Sequence, residues 1–210
     1  MTAIRTERGL DRLVNFSDAT IAIAITLLIL PLVDVAGEIG HLSVWQLIVD
    51  NSGEFSGFAI SFWLIGRFWI IHHRVFEWVR GYSTGLLWAN LLWMASIVFI
   101  PFTANVLAKI TSNRPDVYGL YIGTIAVTAA SMLLIEYLLV RDPALLREDS
   151  RDQIDLRRAS LPTILLVLCL ILAVLLPQVG MFWLLLLFFT APIHNVIERI
   201  TRRRGSQTGS

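Results

Sequence analysis

Long apolar runs separated by short charged segments organise the chain. Six runs stand out, at about 13–33, 55–76, 86–107, 117–140, 161–177 and 179–197. Each is continuous rather than alternating, unlike the ten-residue in-and-out pattern of a membrane barrel strand. A helix needs about 20 residues to cross about 30 Å of hydrocarbon. The third and fourth runs reach that length unaided, whereas the first, fifth and sixth have apolar cores of about 15 residues and complete the crossing with polar flanks. No water is available inside a bilayer to satisfy backbone groups, so such runs take helical form. The pattern predicts an all-α integral membrane protein with six transmembrane helices, one domain over 1–204 and a disordered tail over 205–210. Gln178 and Gly180 flank a very short turn, which makes the last two spans a tight hairpin. The segment from Arg141 to Arg158, dense in both charge signs, reads as a solvated helical connector.

Composition agrees. Of 210 residues, 56% are apolar and 16% charged, against about 45–50% and about 25% in soluble domains. The mean hydropathy is +0.69. A net charge of +1 gives no electrostatic basis for nucleic-acid binding. Cys169 is the only cysteine, which excludes a disulfide-stapled module.

The basic residues assign the orientation. Arg5, Arg8 and Arg12 precede the first span, Arg74 and Arg80 follow the second, and Arg141, Arg147, Arg151, Arg157 and Arg158 lie between the fourth and fifth. Arg199, Arg202, Arg203 and Arg204 follow the sixth. Only Lys109 and Arg114 lie on the other side, and Asp34 to Glu54 has no basic residue at all. Fourteen basic residues against two predict that both termini are cytoplasmic, which agrees with an even number of spans. Glu7, Asp11 and Asp18 around the start of the first span, with no clean cleavage site after it, argue for a retained helix rather than a signal peptide.

Polar residues inside the spans narrow the function. Projected at about 100° per residue, Asn15, Ala19, Ala22, Ile23, Thr26, Leu30 and Val33 share one stripe of the first span. Arg12 and Phe16 sit at its cytoplasmic end. Small residues suit helix contact; a stripe of hydroxyl and bulky aliphatic positions also suits a pore lining that gates by dewetting. On the second span Ser61, Ile65, Trp69, His72 and Phe76 cluster, with Phe62 and His73 beside them. Antiparallel packing puts the histidines level with Arg12 to Asp18, where they can accept from Arg12 or the Trp69 indole, or donate to Asp18 and Ser17. Arg67 lies on the opposite face, where snorkelling or a salt bridge would satisfy it, and Glu136 near the end of the fourth span has the same ambiguity. Asn90 and Asn105 are placed to bond across helices, and Pro101 to kink the third span. Gly53-x-x-x-Gly57 and Gly119-x-x-x-Gly123 fit the close-packing pattern.

Other chemistries find no support. There is no phosphate-binding glycine loop, no nucleophile–base arrangement, and no third ligand beside the His72–His73 pair, so no metal site, cofactor or enzymatic activity is expected. The carbonyl filter sequence Thr-Val-Gly-Tyr-Gly and a ladder of arginines at every third position are both missing.

Two motifs carry a resemblance. Arg12-x-x-x-Phe16-Ser17-Asp18 opens the first span and is followed by Ala22-Ile23-Ala24-Ile25-Thr26-Leu27-Leu28. Ser61-Phe62-x-x-Ile65-x-x-x-Trp69-x-x-His72-His73-x-x-Phe76 fills the second. Together they resemble the prokaryotic branch of the lysosomal potassium channel family, transmembrane protein 175, in its single-repeat, six-span form. The likeness covers roughly residues 12–76; Phe99-Ile100-Pro101-Phe102 adds to it, and the last two spans match only in length and character. The resemblance implies a homotetramer in a bacterial plasma membrane, conducting potassium and other monovalent cations along an axis lined by the first helix. It implies a hydrophobic constriction at Ile23, Leu27 and Leu30, and a selectivity layer at Thr26. It implies that Arg12, Phe16, Ser17, Asp18, Trp69, His72 and His73 brace the first helix against the second. The projection agrees that Ile23, Thr26 and Leu30 share a face but sets Leu27 about 60° from Leu30. Arg67 has no role in the family pattern.

Two other readings compete. A small proton- or cation-coupled transporter would use Asp18 and the histidines, but such carriers show internal repeats or broken helices, which this sequence does not clearly contain. A non-conducting membrane scaffold would leave the polar stripe unexplained.

Overall fold

The computed structural model describes residues 7–176 apart from 38, 42 and 111–113. It contains α1 (Glu7–Leu27), α2 (Leu30–Ala36), α3 (Val44–Asp50), α4 (Ser52–Glu77), α5 (Thr84–Ala108), α6 (Pro115–Arg141) and α7 (Leu156–Leu175). Two 3-10 turns, Pro143–Leu145 and Glu148–Ser150, join α6 to α7. Among the described residues there is no strand, only an isolated bridge between Val79 and Leu146.

Five helical segments are long and apolar enough to cross a membrane: Glu7–Ala36, Ser52–Glu77, Thr84–Ala108, Pro115–Arg141 and Leu156–Leu175. They coincide with the first five apolar runs, each reaching somewhat further into its polar flanks. The sixth run, its hairpin with the fifth and the 205–210 tail lie outside the described residues. The protein is therefore multi-pass and all-α in its described part.

α5 is the hub: α1, α4 and α6 all pack on it, and α7 packs on the far side of α6. Its inward side chains Trp93, Ile97 and Ile100 are fully buried, as are Ile125, Ile135 and Leu139 of α6. α5 runs unbroken through Pro101. α4 meets the end of α5 at Gly53, where a Cβ would come within 2.7 Å of the Ala108 carbonyl oxygen. Only glycine permits that approach, so the first half of the Gly53-x-x-x-Gly57 pattern is a true packing site. Gly119 and Gly123 are looser: a Cβ there would meet α7 side chains at 3.5 and 3.9 Å.

Three local features depart from the sequence reading. The first span is not one continuous helix. Leu28 and Ile29 form a turn with i→i−3 bonds of 3.3 Å to Ile25 and Thr26, and α2 restarts at Leu30. Pro31 is the cause, since it has no N–H to give and its ring crowds the Leu27 carbonyl four residues back. Second, α3 lies in the 34–54 segment, started by a capping box in which Ser43 accepts from the Gln46 backbone N–H and the Gln46 side chain accepts from the Ser43 N–H. Third, the Arg141–Arg158 connector is not a solvated helix. The Arg80 N–H donates to the Leu145 carbonyl and the Arg147 N–H to the Trp78 carbonyl, both at 2.9 Å. This docks the connector on the α4–α5 turn and buries Leu145 and Leu146. Pro143, at the first position after Asp142, prevents α6 from continuing.

Candidate functional site

α1 has two unlike faces. Leu10, Leu13, Ser17, Ile21, Ala24 and Leu28, spaced three and four apart, are buried against α4 and α5. The stripe from Asn15 through Ala19, Ala22, Ile23 and Thr26 is exposed along its whole length. Ile23 is 60% exposed, Phe16 59% and Leu27 39%. Past the Pro31 break, Leu30 at 54% and Val33 at 58% remain exposed, although the fixed angular projection no longer applies to them. Among the described residues the stripe is therefore not a packing face within the subunit. On it, the Thr26 hydroxyl donates to the Ile23 carbonyl at 2.8 Å. Its one proton is thus committed inward, and the oxygen lone pairs face out.

The buried face of α1 is held by a polar chain. Asn90 Nδ2 of α5 donates to Ser17 Oγ at 2.8 Å, and Ser17 Oγ donates to the Leu13 carbonyl at 2.9 Å. Asn90 Oδ1 lies 2.8 Å from His72 Nε2 of α4. Because Ser17 spends its proton on Leu13, it accepts from the Asn90 amide, which leaves Asn90 Oδ1 as acceptor and makes His72 Nε2 the donor. His72 Nδ1 is buried and has no partner. The His72 ring is stacked between Phe76 and Trp93, each centroid 4.2 Å away. One asparagine thus ties three helices together at full burial.

A second contact lies nearer the surface. Trp69 Nε1 donates to Asp18 Oδ1 at 2.9 Å, and the Trp69 ring stacks on His73 at 5.6 Å. His73 Nε2 lies 3.4 Å from the Glu77 carboxylate. The structure thus gathers Ser17, Asp18, Trp69, His72 and His73 at the α1–α4 contact. It leaves Phe16 and Arg12 outside, and no hydrogen bond or ion pair links Arg12 to a described residue. The histidines take nothing from Arg12 or from the Trp69 indole; His72 pairs with Asn90 and His73 with Glu77, and the indole gives its proton to Asp18. Asn90 bonds across helices as its position in an apolar run predicts, but its centrality does not show in the linear motif. Ser61 is also polar and fully buried, and it pairs with Tyr121 of α6 at 2.9 Å.

Arg67 and Glu136 form no salt bridge among the described residues. The Arg67 guanidinium lies 5.8 Å from the Trp63 ring centroid. No group of three or more metal-ligating side chains occurs among the described residues.

Comparison with known proteins converges on one family. The sequence profile described as the endosomal/lysosomal potassium channel TMEM175 matches residues 12–101. A protein named a potassium channel in Streptomyces collinus is 34% identical over 98 residues, 47% of either chain. Another so named in a Chryseobacterium strain is 28% identical over 132 residues, 62% of this chain and 65% of that one. The chain spans about half to two thirds of the length of these curated relatives. The crystal structure of a lysosomal potassium-selective channel TMEM175 homolog from Chamaesiphon minutus superposes with a TM-score of 0.71. That match covers 88% of this chain and 98% of the other, at 21% identity. The match therefore reaches well past residues 12–101. Residues 12–101 are thus similar to the TMEM175 family, and the chain has the fold of the crystallised TMEM175 homolog from Chamaesiphon minutus.

Proposed function

We propose that four copies of this chain surround one axis and form a potassium-selective cation channel in a bacterial plasma membrane. In this reading α1 lines the path, six helices per subunit cross the bilayer, and both termini are cytoplasmic. The observation that carries it is the exposed α1 stripe. A surface that passes from Arg12 and Asn15 through Ala19 and Ala22 to Ile23 and Thr26 is a poor match for lipid tails, yet none of the subunit's described residues covers it. Cyclic repetition of the subunit covers it and leaves an axis. The relatives named potassium channels supply the ion, and the basic asymmetry supplies the orientation.

The chemistry follows from the stripe. A ring of Ile23 side chains offers no replacement for a hydration shell, so a narrow ring there holds water and ions back. Thr26 lies about 4.5 Å further along the helix. With its proton held by the Ile23 carbonyl, it presents only acceptor lone pairs to a dehydrating cation. Leu27 flanks the ring, and Leu30 forms a second apolar level beyond the Pro31 break. Trp69, Asp18, Ser17, Asn90 and His72 act from behind and fix the rotation of α1.

The test is recording from purified protein in planar bilayers under opposed potassium and sodium gradients. Discrete steps reversing near the potassium potential are expected; transport without steps indicates a carrier. Ile23→Asn should wet the ring and raise the current. If Ile23→Asn leaves current unchanged and Thr26→Val leaves the reversal potential unchanged, the stripe does not line the path. Native mass measurement should give four times 23.6 kDa. A cysteine at Ser43, in a Cys169→Ser background, should react with an impermeant thiol reagent in intact cells, and one in the C-terminal tail should not.

A further inference from the structure

A cavity of about 440 Å³ lies between α4, α6 and the start of α7, at the end of the bundle nearest the 142–155 connector. Its size is that of a small-molecule site. Its wall combines charges that the rest of the described structure does not satisfy. Arg67 and Arg74 occupy one face of α4, seven residues and about 10 Å apart. Neither makes a hydrogen bond or ion pair with a described residue. Glu136 of α6 faces them across the cavity; it is only 9% exposed and likewise has no ion-pair or hydrogen-bond partner among the described residues. Arg158 also lines the wall, 3.2 Å from Asp155. Between the charged groups the lining is apolar, with Phe68, Ile71, Met132 and Leu133.

A second, narrow cleft of about 40 Å³ adjoins the cavity and shares Arg67, Phe68, Ile71 and Pro162 with it. Its further walls are Trp63, Leu64, Ile125 and Leu166. On all three helices these residues lie one or more turns closer to the bundle centre. The combined space thus has a charged mouth at the connector end and an apolar slot running towards mid-membrane.

A carboxylate buried like Glu136 needs a partner, and the exposed guanidiniums of Arg67 and Arg74 at the mouth are free to take an anion. Arginine pairs bidentately with phosphate oxygens. A buried carboxylate is matched by an ammonium. The slot is lined as an acyl chain requires. We infer that this space seats one aminophospholipid of the adjacent leaflet. Its phosphate lies between Arg67 and Arg74, its primary ammonium meets Glu136, and the start of one acyl chain enters the slot at Trp63 and Leu166. Glu136 selects against lipids that carry only negative charge, because a second anion beside it goes uncompensated. The lipid wedges α4, α6 and α7 on a side of α4 that does not face α1, so the inference does not depend on conduction.

The experiment is native mass spectrometry of the full-length, delipidated protein in detergent. It is titrated with dioctanoyl phosphatidylethanolamine, dioctanoyl phosphatidylglycerol or free phosphoethanolamine. One phosphatidylethanolamine per chain should be retained, in preference to phosphatidylglycerol. Arg67→Gln with Arg74→Gln should weaken it about thirtyfold. Arg74→Gln alone, at an exposed position that leaves the fold intact, should weaken it about fivefold. Glu136→Gln should bring the two lipids close to parity. Unchanged retention in the arginine variants overturns the site, as does a headgroup preference that survives Glu136→Gln. Displacement by phosphoethanolamine at the lipid's own concentration overturns the lipid assignment and identifies a soluble ligand.

Discussion

α1 and α6 are both long apolar helices, and they do opposite jobs. The α1–α2 segment is the more apolar, yet only 22% of its apolar window is buried, against 61% for α6. In water the ranking would be reversed, because the more apolar helix would be driven inside. In a bilayer the tails are as apolar as leucine, so hydropathy no longer decides burial. Burial goes instead to helices with small and hydroxyl residues that pack closely and bond across. α6 has Thr124, Thr128 and Ser131 on its buried side and receives the Ser61–Tyr121 bond. α1 has such groups on two sides: Ser17 turned inward, and Asn15, Ala19, Ala22 and Thr26 turned out. Among the described residues the outward set stays unused.

That contrast can be attacked in order of expected effect. Trp93→Ala empties the centre of the hub, where the indole is fully buried against His72. It should cost about 3 kcal/mol or more in thermal or denaturant unfolding in detergent; a small loss would mean that α5 is not the core. Asn90→Ala should cost about 1–3 kcal/mol, because it strands the His72 Nε2–H at full burial and takes the donor from the Ser17 oxygen. The double variant with Ser17→Ala should cost less than the sum of the singles, and strict additivity would dissolve the three-helix chain. Trp69→Phe keeps the stacking on His73 but removes the donor to Asp18. The site is part-exposed, so about 0.5–1.5 kcal/mol is expected. Thr26→Val should leave subunit stability within about 0.5 kcal/mol while moving the reversal potential between potassium and sodium. If it unfolds the subunit instead, the outward stripe is structural.

Much of this was legible in the sequence, because the signals are strong and local. Five apolar runs become five membrane-length helices, since nothing else satisfies their backbone in lipid. The α1 stripe follows from helical periodicity alone. α3 was legible too: Ser43-x-x-Gln46 is a capping-box signature, hidden by the search for long runs. What stayed illegible depends on contacts between distant segments. Asn90 is one polar residue in an apolar run until Ser17 and His72 are brought to it. Arg12 opens a motif and yet reaches no described partner, because the geometry gives Asp18 to Trp69. The connector looks solvated from its charges, but Leu145 and Leu146 face the α4–α5 turn, and two backbone hydrogen bonds outweigh the charge pattern. Pro31 was visible as a residue, but its effect on the projection was not, because angular arithmetic assumes an unbroken helix.

The turn at Leu28 and Ile29 divides the first span mechanically. Below it, α1 is a shaft gripped on two sides at one height, by Asn90 through Ser17 and by Trp69 through Asp18, so twisting it strains contacts with two other helices. Above it, α2 is seven residues long and packs lightly on α4. A rod bends where its ladder of hydrogen bonds is already interrupted, because no intact rung has to break there. The two apolar levels at Ile23 and Leu30 thus sit on opposite sides of a compliant joint, one on a clamped segment and one on a short lever. A twist of the clamped segment carries Ile23 with it and is relaxed at the joint before it reaches Leu30.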